Sequence, residues 1–252
     1  MPYQRILPAL LLDGGGLYKT VKFKSPKYIG DPINTVKIFN AKFADELCIL
    51  DIGASVKNKI NYDLIGDIVS EAFMPITYGG GIKTLSDVES LFSLGVDKVS
   101  ISSAAFQNPN LVKEAVNIYG TQSIITVVDY KKTFFKGIKV YINKGNTNTS
   151  FDPIAYCLLM QDLGVGEIIL QNIDRDGTFT GYDLDLLSKA SSLLSIPITA
   201  LGGASSYNDI NELFNINVSG AAAGSLFSFA RNNRDSILIN YPQESDIPRL
   251  KI

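Results

Sequence analysis

The sequence contains no histidine and no tryptophan among its 252 residues, and only two cysteines. Without histidine there can be no Ser-His-Asp triad, no Cys-His pair and no imidazole-ligated metal. Acid–base work must then fall to carboxylates, lysine, tyrosine or cysteine. Cys48 and Cys157 lie far apart, each inside an apolar run ("ELCILDIG", "IAYCLLMQ"), as expected of reduced core residues rather than a disulfide or a metal pair. No run of eighteen apolar residues occurs, and the first residues do not form a basic-then-apolar leader, which argues against a membrane span and a secretion signal. The net charge is −2 with the signs interspersed, so there is no electrostatic footprint for nucleic acid. The expectation is a cytoplasmic protein with no membrane or nucleic-acid partner, no metal and no other cofactor.

What the chain does have is alternation. Short β-rich runs ("RILPALL", "ELCILDI", "PITYGG", "KVSISS", "SIITVVD", "EIILQNI", "PITALGG", "SGAAAGS") alternate with amphipathic stretches such as "DPINTVKIFNAKF", "TLSDVESLFSLG", "NPNLVKEAVNIYG" and "SYNDINELFNIN". Each amphipathic stretch opens near a Ser, Thr, Asp or Asn able to cap a helix. Eight strands with eight crossovers in β-then-α order predict a (β/α)₈ TIM barrel, with residues 1–252 as one domain. Residues 18–32 and 130–150 read as long loops after strands one and five, the second containing a small hairpin.

An internal repeat supports the barrel. "PITYGGGIKTLSDVESLF" at 75 aligns without gaps on "PITALGGASSYNDINELF" at 197, and the same offset carries Ser103 onto Ser225. "ADELCIL" resembles "VGEIIL", with Glu46 over Glu167, so the chain reads as two similar half-barrels closing on each other. In that pairing Leu11 is the counterpart of Asp129. Barrels of this kind build their sites at the C-terminal strand ends, where this asymmetry lies.

Two repeat-related clusters there suit a phosphate. Gly79-Gly80-Gly81 with Ser102 and Ser103 form one. Gly202, Gly203, Gly224 and Ser225, with Asp176 and Gly177 from the loop after strand six, form the other. Glycines let backbone N–H groups approach an anion closely; by themselves they could equally make tight turns. Two matched sets imply a ligand with anionic groups at both ends. At the opposite strand ends stand Arg5, Glu46, Lys98 and Glu167. If their period-2 positions face inward, two cations and two anions meet as a ring; otherwise they are solvent-facing charges at strand starts. "NIDRDGTFTGYD" carries three acids and reads as a turn-forming loop rather than a cation site.

These segments match a known family. "DELCILDIGAS" at 45, "GGGI" at 79, "GVDKVSISSAA" at 95, "VVDYKK" at 127, "GEIILQNIDRDGTFTGYD" at 166 and "GGA" at 202 make the chain resemble the cyclase subunit of imidazole glycerol phosphate synthase over essentially its full length. The resemblance implies a glutaminase subunit docked on the N-terminal barrel face as a heterodimer. Its ammonia passes through a gate matched here by Arg5, Glu46, Lys98 and Glu167, and Asp97 matches a residue near that interface. It also implies two catalytic aspartates at the top. Asp129 matches the second, but Leu11 stands where the first belongs. Further departures are Ser102 for the usual Asn, Gln171 for Thr and Leu201 for Ser. Asp13 shares Leu11's alternation but lies about 6–7 Å further along the strand, a poor place from which to substitute.

The resemblance therefore points to a divergent cyclase-like barrel. The leading expectation is redirection to another ammonia-dependent reaction, in which such barrels and a sugar-amidating enzyme convert an acetamido group to an acetamidino group in surface-polysaccharide or flagellar-glycan synthesis. The alternatives are an ordinary cyclase of histidine biosynthesis and a non-catalytic ammonia conduit that activates its glutaminase.

Overall fold

Strands form where apolar residues occupy both alternating faces, because each must pack against helices outside and side chains inside. The computed structural model describes residues 4–57, 59–134, 136–243 and 246–247. Its eight parallel strands are β1 (Arg5–Asp13), β2 (Leu47–Asp51), β3 (Ile76–Gly79), β4 (Lys98–Ser100), β5 (Ile124–Thr133), β6 (Glu167–Asn172), β7 (Ile198–Leu201) and β8 (Gly220–Ala223). β1 pairs with β2 on one side and β8 on the other, and β5 pairs with β6, which closes the barrel. Ile6, Leu10 and Leu12 of β1 face the outer helical layer. Leu7 and Ala9 join Cys48, Ile125, Val127, Ile169, Leu201 and Ala222 in a separate core inside the barrel. Both cysteines are buried and unpaired.

Each of the first seven strands is followed by a long α-helix: α1 (Pro32–Ala41), α2 (Tyr62–Glu71), α3 (Leu85–Ser93), α4 (Pro109–Tyr119), α5 (Pro153–Asp162), α6 (Leu184–Leu193) and α7 (Tyr207–Asn215), with short helical segments Ile52–Lys57 and Ser103–Gln107 preceding α2 and α4. The repeat extends to their caps. Thr84 and Asp87 form a reciprocal capping box on α3, and Ser206 and Asp209 form the same box on α7. Such a cap contributes about 1 kcal/mol and fixes where the chain leaves the strand end.

Two expectations need correction. Residues 18–32 are not an open loop. Gly16–Val21 turns back antiparallel to β1, with Leu11 opposite Tyr18, and pairs with Lys24–Gly30 as a hairpin. The eighth crossover is not an α-helix either. After β8 come short 3₁₀ turns at Ser225–Phe227 and Ala230–Asn232, and then an extended strap bridged between Phe229 and Ile237. The strap "NNRDSILINYP" lacks a helical apolar period and ends in a proline, so it lies flat in the eighth slot. Tyr241 is buried there against Phe39 and Phe227. The hairpin expected within 130–150 is present, with Gly137–Ile142 pairing on β5 and Thr147–Asn148 beyond it.

Candidate functional site

At the N-terminal strand ends the four charges face inward and pair completely. Arg5 donates to Glu46 at 2.6 Å and to Glu167 at 2.7 Å. Lys98 donates to both Glu46 oxygens at 3.0 Å and to Glu167 at 3.0 Å. Thr77 and Thr199, one from each half-barrel, add hydrogen bonds to Glu46 at 2.7 Å and Glu167 at 2.6 Å. The glutamates are buried while the cations keep a little exposure, so the ring closes the barrel end with no net charge. Burial pushes the Glu167 carboxyl up, but Arg5 and Lys98 outweigh it and hold it below its usual value. Burial lowers the Arg5 guanidinium less than Glu167 and Glu46 raise it. Asp97 lies at the same end, exposed, its carboxylate accepting the Ile76 N–H at 2.8 Å. Asp45 accepts the Ile6 N–H in the same way.

At the C-terminal strand ends a cavity of about 470 Å³ opens. Leu11, Leu50, Val127, Asp129 and Gln171 line its base, and Gly80, Gly81, Ser102 and Ser103 line one wall. Asp129 keeps some surface toward the cavity, yet its Oδ1 is buried and has no hydrogen-bond partner. Burial, and then the nearby Asp176, push its pKa up to about 8. At neutral pH it is therefore mostly protonated, a state suited to giving a proton. Leu11 and Leu201 are both buried. Asp13 lines neither this cavity nor the smaller one below; it packs against Gly53.

A second, much smaller pocket of about 20 Å³ lies among Gly177, Gly202, Gly203, Gly224 and Ser225. Leu11 and Gln171 line both pockets and so stand between them. Lys19 lines this second pocket as well. It is buried, its Nζ donates to the Ala9 carbonyl, and it sits against Gly224, where any larger residue would meet it. Burial lowers its pKa to about 8 against the attraction of Asp176. Asp176 accepts from the Thr20 hydroxyl at 2.7 Å, and burial raises its own pKa. Gly177 must be glycine. Its φ is +68°, and a Cβ there would come within 2.1 Å of the Thr20 carbonyl.

The acids of the loop after β6 are committed to hydrogen bonds. Asp174 accepts the Lys132 N–H, and Asp183 caps α6 and accepts from Asn172 and Tyr130. Two residues escape the motif reading. Lys19 lies in the segment read as loop, and a lone lysine on the buried side of "GLYKTV" was its only signal. Asp51 also lines the larger cavity. It holds the Ala54 N–H at 2.7 Å and the Tyr78 hydroxyl at 3.1 Å, and burial raises its pKa against those bonds. No helix among the described residues is long and apolar enough to cross a membrane.

Comparison with known proteins agrees with this architecture. The profile of the family described as "Histidine biosynthesis protein" matches residues 5–232. A protein of Pseudomonas aeruginosa with the provisional name imidazole glycerol phosphate synthase subunit hisF2 is 45% identical over 100% of both chains. A Vibrio vulnificus protein provisionally named subunit hisF3 is 46% identical over 96% of this chain and 94% of its own. The imidazole glycerol phosphate synthase subunit HisF of Lactococcus lactis subsp. cremoris is 39% identical over 93% of this chain and 92% of its own. A barrel of two half-repeats, matched along nearly its whole length, thus belongs to the histidine biosynthesis protein family, in the branch of the imidazole glycerol phosphate synthase cyclase subunit.

Proposed function

We propose that this barrel takes ammonia from a glutaminase subunit docked on its N-terminal face and delivers it to an anionic, phosphate-bearing ligand at the opposite end. We further propose that the reaction there is not the histidine-pathway ring closure. One observation carries this reading: a fully paired Arg5–Glu46–Lys98–Glu167 ring coexists with a reaction end where Asp129 faces Leu11. Between the two ends the interior is apolar, a medium that neutral ammonia enters far more readily than ammonium does. Leucine can neither transfer a proton nor hold a cation, so chemistry that needs a carboxylate at this position of β1 is lost. Asp129, protonated near neutral pH, remains as the general acid of the Leu11–Asp129 pair, while Asp51, also at the cavity, is held by the Ala54 N–H and the Tyr78 hydroxyl. The two glycine and serine clusters hold the anionic groups. For the smaller cluster, Lys19 withdraws from the Ala9 carbonyl and becomes the counter-ion of the incoming group.

The acceptor we infer from the resemblance to divergent barrels of this family is a sugar acetamido group converted to acetamidino, ammonia replacing the carbonyl oxygen, which leaves as water, with a sugar-amidating enzyme as further partner, in surface-polysaccharide or flagellar-glycan synthesis. Higher identity to the relatives numbered hisF2 and hisF3 than to the Lactococcus HisF supports a separate branch. The identity to that HisF over most of both chains favours the second reading, an ordinary cyclase. Turnover of the histidine-pathway precursor at high ammonium separates the two. The redirected barrel gives none as wild type and partial activity as Leu11→Asp. Robust wild-type turnover refutes redirection and establishes the ordinary cyclase.

A further inference from the structure

The hairpin that carries Lys19 does not hold its place by its own turn chemistry. Its two tip residues, Lys22 and Phe23, both adopt positive φ (52° and 62°), and Ser25 follows at 51°. A two-residue turn of this kind favours Asn-Gly, and Lys-Phe in its place is strained. External contacts must keep such a hairpin down. Asp176 supplies one set: its carbonyl accepts the Lys22 N–H at 2.9 Å and its carboxylate takes the Thr20 hydroxyl. The other set comes from the strap that replaces the eighth helix. Arg234 donates to the Lys19 and Thr20 carbonyls, both at 3.2 Å, while its guanidinium lies 5.0 Å from the Phe229 ring. On the second strand of the hairpin, Lys27 donates to the Arg234 carbonyl and to Asp235 at 3.0 Å. Residues 234 and 235 thus hold both strands. The strap is itself anchored, since the Leu238 N–H donates to Ser228 and the Asn240 N–H to Phe227.

We propose that Arg234 is a positioning residue: it fixes the backbone of Lys19 so that the lysine stands at the smaller anion-binding cluster, free to move its side chain but not its main chain. This rests on the reading of that cluster as an anion site. The guanidinium suits the task because its planar fork reaches two successive carbonyls, which a single ammonium cannot do equally well. Arg234 also adds positive charge beside the cluster, where Lys19 and Asp176 otherwise nearly balance. The strap places residue 234 within hydrogen-bond reach of both hairpin carbonyls.

The test uses the full chain as wild type, Arg234→Ala, Arg234→Lys and Lys19→Ala, with inorganic phosphate as the probe. Backbone amide shifts of Gly203 and Ser225 report the smaller cluster, those of Gly81 and Ser103 the larger. Amide hydrogen exchange over residues 16–30 reports the hairpin. Arg234→Ala is expected to weaken phosphate at Gly203 and Ser225 on the order of tenfold, the loss of roughly one charge-assisted hydrogen bond. It should speed exchange in the hairpin and leave Gly81 and Ser103 unaffected, with Arg234→Lys falling between it and wild type. Phosphate affinity lost in Lys19→Ala but unchanged in Arg234→Ala, with unchanged hairpin exchange, overturns the positioning role alone. Phosphate that shifts neither cluster in the wild type overturns the anion reading beneath it.

Discussion

Replacing Arg5 with methionine tests whether the charged ring is as closed as its geometry. The substitution removes the 2.6 Å and 2.7 Å bonds to Glu46 and Glu167 and leaves two glutamates facing one lysine. Breaking one partner out of a buried ion pair costs about 3–5 kcal/mol, because the remaining charge stays desolvated. Two features place the expected loss toward the lower end of that range. Arg5 retains 18% side-chain exposure, and Lys98, Thr77 and Thr199 continue to serve the carboxylates. The expected loss is therefore about 3 kcal/mol at pH 7, read from urea unfolding of wild type and Arg5→Met.

The pH dependence adds a second, independent sign. Glu167 has a folded pKa below its ordinary value, so the unfolded chain binds more protons and wild-type stability falls as pH drops through the carboxylate range. Removing Arg5 raises the folded value toward that of the unfolded chain, so the acid-side loss should be smaller in the variant. The variant's deficit then shrinks toward pH 4, where Glu167 takes up a proton and no longer needs a partner. A combined Arg5→Met, Lys98→Met, Glu46→Gln, Glu167→Gln variant should recover much of the loss, since all four buried charges leave together. A deficit under about 1 kcal/mol for Arg5→Met, constant from pH 7 to 4, would refute the reasoning: it is the signature of an open, solvated ring.

The remaining expectations concern the other end. Asp129→Asn should abolish ammonia-dependent turnover of the true acceptor, and it should also change stability with a definite sign. The folded Asp129 pKa of about 8 lies above the ordinary carboxylate value, so the folded chain holds a proton that the unfolded chain releases between about pH 4 and 8. Wild-type stability falls across that window, and Asp129→Asn should gain relative to it by up to a few kcal/mol in urea titrations at pH 5 and pH 8. Lys19→Met gives the mirror case. A folded pKa of about 8, below the ordinary lysine value, makes wild-type stability rise between about pH 8 and 10.5. Lys19→Met should lack that rise when thermal unfolding of the two chains is compared at pH 8 and pH 10.

Much of this architecture was legible because barrel strands obey a strict side-chain period. Once "RILPALL" alternates, Arg5, Leu7 and Leu11 must share a face, and the repeat then sets Glu46 and Glu167 at equivalent depth. The ring's closure was not legible, since spacing says which side a residue faces but not whether four side chains meet. The hairpin after β1 was missed for a local reason. Its turn is made by Lys22 and Phe23, which carry no turn signal, and its shape is imposed from outside by Asp176 and Arg234. The missing eighth helix has the same origin, because the strap follows contacts made by Tyr241, whose hydroxyl donates to the Ile6 carbonyl and accepts the Asp45 N–H. Both failures fall on Lys19 and the segments that hold it. Where tertiary contacts override local propensity, the chain has reason to fix a side chain at a site. The same physics explains why Leu11 was legible and Lys19 was not: one sits on a strand that its own pattern defines, the other on a hairpin held by Asp176 and Arg234 from distant parts of the chain.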